Sequence, residues 1–99
     1  MQRTMVRYRV KPECAAENKA LVEGVYAELH QTKPAGLHYA TFRSSDGVSH
    51  VHIATIEGEN PLMKSAAFAA FQKDLPSRVE EPPTFMDLEE IGSYQFFAE

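Results

Sequence analysis

Residues 37–57 read LHYATFRSSDGVSHVHIATIE, two alternating runs on either side of Asp46-Gly47. Asp-Gly between alternating apolar and polar positions is a strong short-range signal for a β-hairpin. With Asp46-Gly47 as a two-residue turn, Ser45 faces Val48. Counting outward pairs Arg43 with His50, Phe42 with Val51, Thr41 with His52 and Ala40 with Ile53. A four-residue loop keeps the same faces, whereas three or five residues would mix them. One face then carries Ala40, Phe42, Val51 and Ile53, and the other Tyr39, Thr41, Arg43, His50 and His52. The apolar set is expected beneath the helices and the polar set on the side away from them.

Upstream of the hairpin, Met5 to Val10 alternates Val6, Tyr8 and Val10 with Met5, Arg7 and Arg9, the pattern of a strand that ends at Pro12. By the same rule Val6, Tyr8 and Val10 join the apolar face, and Arg7 and Arg9 join the histidines. From Glu13 to about Thr32, Leu21, Val22, Val25, Tyr26 and Leu29 recur at helical spacing, and Lys33 to Gly36, KPAG, supplies the stop. Downstream, Asn60-Pro61 reads as the cap and first residue of a second helix whose buried stripe is Met63, Ala67, Phe68, Phe71 and Leu75. Pro76 and the EEPP segment at 80–83 read as a loop that could cover a cleft. Phe85 to Phe97 reads as a last strand, bent at Gly92, with Tyr94 and Phe96 inward. The order β-α-β-β-α-β predicts a ferredoxin-like α+β fold. It has a four-stranded antiparallel sheet with both helices on one face, as a single domain over residues 1–99.

Composition narrows the partners. The chain has 99 residues, 43% hydrophobic and 24% charged, with a net charge of -4 and no run of Lys or Arg, so nucleic acid is not expected to bind. Cys14 is the only cysteine, which excludes an internal disulfide and fits a reducing compartment. No apolar run is long enough to span a bilayer, and the opening MQRTMVRYRVKPE lacks the pattern of a signal peptide. A cytoplasmic location without membrane contact is expected.

The His-x-His of SHVHI is open to three readings. As a metal site it offers two ligands and no third at local spacing. As an acid/base site it offers imidazoles whose ordinary pKa of ~6.5 suits proton transfer. As plain structure it supplies polar residues for an interface. Arg7, Arg9 and Arg43 could hold an enolate or phenolate, or pair with Glu89 and Glu90. Tyr39 and Tyr94 could position a ring or simply pack. The candidate catalytic residues are therefore His50, His52 and Arg43, and the candidate substrate-binding residues are Arg7, Arg9, Tyr39 and Thr41. No cofactor and no metal site are expected.

The element order, with VRYRVKPE running into the first helix, AAFAAFQKDL in the second and a C-terminal IGSYQFF, resembles the antibiotic biosynthesis monooxygenase-like family of dimeric α+β barrels. The resemblance implies a homodimer whose two sheets pack into a barrel, with a cleft between sheet and helices or along the barrel interior. It also implies oxygenation of an electron-rich aromatic such as an anthrone or quinol without metal or flavin. Those oxygenases commonly use asparagine, histidine and tryptophan, and this chain has no tryptophan; Asn18 is its only asparagine besides Asn60. Haem-degrading relatives place an axial histidine on a helix with asparagine and tryptophan nearby, companions that His30 lacks. Two functions follow as expectations. One is a cofactor-independent monooxygenase, or related proton-transfer enzyme, acting on a small aromatic or quinol-like substrate. The other is a non-catalytic dimeric small-molecule-binding or stress-response domain. Single-stranded RNA binding on the sheet is disfavoured by the acidic charge.

Overall fold

The computed structural model describes residues 1–96. Strand β1 (Gln2–Val10) leads through a 3₁₀ turn at Pro12–Cys14 into helix α1 (Ala15–Thr32), followed by β2 (Leu37–Arg43) and β3 (Ser49–Ile56). A second 3₁₀ turn, Pro61–Lys64, precedes α2 (Ala66–Lys73), the single-turn α3 (Leu75–Arg78) and β4 (Val79–Asp87). The four strands form one sheet in the order β2-β3-β1-β4, every neighbour antiparallel. This is the expected ferredoxin-like arrangement.

The hairpin register is the one its sequence predicts: Arg43 opposite His50, Phe42 opposite Val51, Thr41 opposite His52 and Ala40 opposite Ile53. A four-residue loop, Ser45 to Val48, closes it. Gly47 N–H donates to the Ser44 carbonyl at 3.0 Å, and the Asp46 carboxylate accepts from the Val48 and Ser49 amides at 2.9 and 2.8 Å. Those donors, with the Ser49 hydroxyl first among them, hold the Asp46 carboxyl down at about 2. At the far end of the hairpin Gly36 has φ 78°, and a Cβ there would sit 2.7 Å from the Glu57 carbonyl oxygen, so glycine alone fits.

The assignment of faces is inverted relative to expectation. Tyr8 and Val10 are buried as predicted, but β1 pairs Val6 with His52 and Tyr8 with His50, so both histidines share their side of the sheet. His50 and His52 are 3% and 4% exposed beneath the helices, whereas Phe42, of the supposed core set, is 46% exposed. Ala40, Phe42, Val51 and Ile53 therefore lie on the open face with Met5, Arg7 and Arg9. The reason is hydrogen bonding. A polar side chain is costly to bury only when it is unpaired, and the histidine face satisfies its own polar atoms.

Two element boundaries also differ. Asn60 caps the 3₁₀ turn, accepting from Leu62 N–H at 3.0 Å, and α2 starts afresh at Ser65, whose Oγ accepts from Phe68 N–H at 2.9 Å. Glu28 of α1 accepts from Ala67 N–H at 3.0 Å, tying the start of α2 to the long helix. The last strand lies earlier than predicted: the EEPP segment is strand, the strand ends at Asp87, and the chain beyond Leu88 leaves the sheet, with Ile91 and Tyr94 96% and 86% exposed. Phe97 falls outside the described residues. Prolines are tolerated here because β4 is an edge strand and bulged. Arg9 faces Glu81 and Arg7 faces Thr84, so Pro82 and Pro83 together oppose Tyr8.

The core joins Tyr8 and Val10 of the sheet to Val22 and Val25 of α1, and to Leu62, Phe71 and Leu75. Phe71, 4% exposed, packs against the Tyr8, His52 and Phe68 rings at centroid distances of 6.3, 5.5 and 6.1 Å.

Candidate functional site

Between the sheet and α2 opens a cleft of about 370 Å³. Its floor is the helix-facing side of β1 and β3, including Val6, Tyr8 and His52, with Tyr39 of β2 beside them. Phe68 and Phe71 of α2 form one wall and Pro83 and Phe85 of β4 another, so the lining is mostly apolar with a small polar patch, a composition suited to small organic ligands. The bulge at Pro82-Pro83 turns Pro83 into this wall.

His52 is the centre of the polar patch. Its Nε2 lies 2.8 Å from Tyr8 Oη; its Nδ1 lies 2.7 Å from Tyr39 Oη and 3.1 Å from Thr41 Oγ1. Behind Tyr8, Asn18 Nδ2 donates to Tyr8 Oη at 3.0 Å, and Arg78 Nε donates to Asn18 Oδ1 at 3.2 Å. Beyond Thr41, Tyr26 Oη completes the chain at 2.7 Å. One buried path of hydrogen bonds thus runs Arg78, Asn18, Tyr8, His52, then Tyr39 or Thr41 and Tyr26.

The electrostatics follow from burial. Loss of water pushes the His52 imidazole down to about 4, with His50 adding a smaller push, so the ring is neutral at physiological pH. Desolvation pushes the Tyr8 hydroxyl up to about 12 against the opposing pull of Asn18 and Arg78, and the Tyr26 hydroxyl also up to about 12. Tyr39 is raised as well, by burial first. The resting site is uncharged apart from Arg78.

The seven residues singled out from sequence divide. His52, Tyr39 and Thr41 come together, and His52 and Tyr39 line the cleft. His50 stacks on Tyr8 with ring centroids 5.1 Å apart, and its Nδ1–H donates to the Val48 carbonyl at 2.9 Å, which anchors it in the hairpin end. Burial, the larger influence, holds its imidazole below the ordinary value. Arg43 is exposed at the end of β2 opposite His50. Arg7 and Arg9 point from the other face, Arg9 to Glu80 at 3.4 Å, and so stand apart from the histidines. Among the described residues, no three His, Cys, Asp or Glu side chains converge as metal ligands.

Four members of the path, Tyr8, Tyr26, Asn18 and Arg78, carry no assignment from sequence. Tyr8 reads there only as core. Asn18 had a visible signal, a polar residue four before Val22 and seven before Val25 on the apolar stripe of α1. Arg78 had none, since a lone arginine beside the EEPP segment reads as surface.

No family model matches the chain, and no curated protein matches it. Its fold is shared with many solved structures. A crystal structure described as an antibiotic biosynthesis monooxygenase superposes with a TM-score of 0.72 at 18% identity, covering 93% of this chain and 100% of that one. A provisional antibiotic biosynthesis monooxygenase from Nitrosomonas europaea gives 0.73 at 13% identity, with coverages of 93% and 100%. A conserved protein from Methanosarcina mazei gives 0.71 at 17%, with 90% and 91%. At such identities the likeness establishes the fold alone.

Proposed function

We propose that the protein is a cofactor-independent monooxygenase, or a related proton-transfer enzyme, acting on a small aromatic or quinol-like molecule in the cleft. The observation that carries this reading is the neutral His52 at the floor of an apolar cleft, hydrogen-bonded to two tyrosines that also line it. A substrate hydroxyl or activated methylene gives its proton to Tyr8 Oη as the Tyr8 proton passes to His52 Nε2. The resulting substrate anion and imidazolium form a charge pair inside the low-dielectric site, where their attraction is strong. An activated methylene so deprotonated gives electrons to O₂, protonation yields a hydroperoxide, and loss of water leaves a ketone; CH₂ and O₂ become C=O and H₂O. The arginines of the open face take no part.

The functional unit is read as a homodimer formed through the open sheet face. Met5, Ala40, Val51, Ile53 and Met86 give that face an apolar centre, and Met86 is 43% exposed in the single chain. Such a surface favours a second copy packing sheet to sheet. The chain contains no helix long and apolar enough to cross a membrane among the described residues, and a cytoplasmic site of action fits the reading.

Oxygen uptake with a panel of anthrones and hydroquinones tests the activity. A second reading has its own support: both His52 nitrogens are already engaged within the protein, as in a binding cleft without turnover. A compound that saturates the cleft, as followed by tyrosine fluorescence, with no oxygen consumed across the panel, would select that reading.

A further inference from the structure

Arginine donates hydrogen bonds and accepts none, and in this protein that single property propagates through the whole buried path. Arg78 is 2% exposed. Its Nη2 donates to the Phe71 carbonyl at 2.6 Å, its guanidinium carbon lies 5.5 Å above the Phe71 ring, and its Nη1 is buried without a partner. Among the described residues, the ion pairs are Arg3 with Glu90, Arg9 with Glu80 and Lys64 with Glu59, so no carboxylate neutralises Arg78.

Facing an obligatory donor, the Asn18 amide must turn its oxygen toward Arg78 and its NH₂ toward Tyr8. Tyr8 Oη receives that hydrogen, so its own proton goes to the other polar atom in reach, His52 Nε2. An Nε2 that accepts leaves the proton of a neutral ring on Nδ1, where it donates toward Tyr39 Oη with Thr41 Oγ1 alongside. Tyr39 Oη, receiving that hydrogen, keeps its own proton to donate, either to the neighbouring Thr41 Oγ1 or to a ligand oxygen in the cleft that it lines.

We infer that Arg78 and Asn18 are positioning residues that lock His52 in its Nδ1–H tautomer. They thereby present the Tyr39 hydroxyl to the cleft as a donor, which selects ligands with an acceptor oxygen, a carbonyl, enolate or phenolate. The tautomer stands on the geometry alone; its use on a substrate anion rests on the function proposed above. Asparagine rather than aspartate at position 18 is essential to it. A carboxylate would accept from both Arg78 and Tyr8, Tyr8 would then accept from His52 Nε2–H, and every bond downstream would reverse.

Long-range ¹H–¹⁵N NMR of the ¹⁵N-labelled protein near neutral pH reads the tautomer directly, because the protonated ring nitrogen resonates far from the bare one. The expected result is a protonated Nδ1 in the wild type and an inverted pair of resonances in Asn18→Asp. An Nε2–H tautomer in the wild type, or an unchanged one in folded Asn18→Asp, overturns the inference; if that variant does not fold, the wild-type spectrum decides. The cleft-facing role is read with 2-hydroxy-1,4-naphthoquinone as probe, titrated against wild type and Tyr39→Phe. Binding roughly tenfold weaker in the variant is expected for loss of one hydrogen bond to an anionic oxygen, and equal binding overturns the donor role. Neither measurement needs turnover, so failure in the oxygen assay leaves both results standing and counts against the enzyme alone.

Discussion

The two faces of this sheet invert the usual expectation of where polar residues go. The helix-covered face buries two histidines, and an asparagine and an arginine reach the same buried network from α1 and α3. The open face displays Ala40, Val51, Ile53 and Met86 among arginines. The difference lies in partners rather than polarity. On the covered side, polar atoms from β1, β2, β3, α1 and α3 meet within hydrogen-bonding distance, so their burial leaves Arg78 Nη1 as the buried orphan among the described residues. On the open side, apolar side chains lie at the sheet surface in a single chain, as is tolerable where another surface covers them.

The sharpest way to break this comparison is to remove one polar side chain from each face in turn. His52→Ala is expected to lower turnover by roughly 10²–10⁴-fold, while Arg7→Ala on the open face leaves kcat/KM within about a factor of two. Equal losses in steady-state oxygen uptake would mean that the site has been placed on the wrong side.

Removing the ring of Phe71, which holds the cleft wall against Tyr8 and His52, is expected to cost about 3–5 kcal/mol in urea unfolding, as for other large-to-small changes in a core. A loss below about 1 kcal/mol would show that α2 does not pack on the polar network as described.

Acid should weaken the covered face. His52 is held down to about 4 by burial, whereas the unfolded chain titrates near the ordinary value of 6.5. Between those limits the unfolded chain binds a proton that the folded protein refuses. Stability is therefore full above about pH 6.5 and falls as the pH drops toward 4, by about 3 kcal/mol. His50, also lowered by burial, acts in the same direction. Urea unfolding across this range checks the slope, and a His52→Gln variant should flatten it; a wild-type slope of the opposite sign would contradict a buried neutral histidine.

The open face is tested by charge. Ile53→Lys is expected to weaken self-association roughly a hundredfold, about 3 kcal/mol, in sedimentation equilibrium. A wild type that sediments as a monomer at all concentrations would remove the sheet-to-sheet reading. The smallest effect is the cap: Ser65→Ala should cost about 1 kcal/mol in thermal unfolding. Thr84→Ala on the open side should stay within about 0.5 kcal/mol.

The hairpin was legible because its information is local: Asp46-Gly47 and the alternation around it determine every pairing from Ala40 to Ile53. Which face turns inward was not legible, because that depends on groups far apart in sequence, Tyr8 with His52 and Asn18 with Arg78, finding one another. Hydrophobicity alone ranked Val51 and Ile53 above His50 and His52 for burial, and no local rule credits a histidine with bonds it will make later. His52 and Tyr39 fall on one face of the hairpin whichever way it turns, so their neighbourhood is legible from the phasing alone. Arg7 and Arg9 were grouped with the histidines through the inverted faces. The EEPP segment at 80–83 reads as a loop because two prolines and two glutamates contradict a central strand, though they suit the bulged edge that β4 makes before Phe85.

Those prolines also bear on how copies of this protein meet. An edge strand with a full row of amide hydrogens invites another chain to extend the sheet, the first step toward fibrous assembly. At Pro82 and Pro83 two successive positions have no hydrogen to offer, and the bulge twists the strand away from a straight partner. Growth of the sheet past β4 is blocked at its middle, which disfavours an open-ended ribbon of copies joined edge to edge.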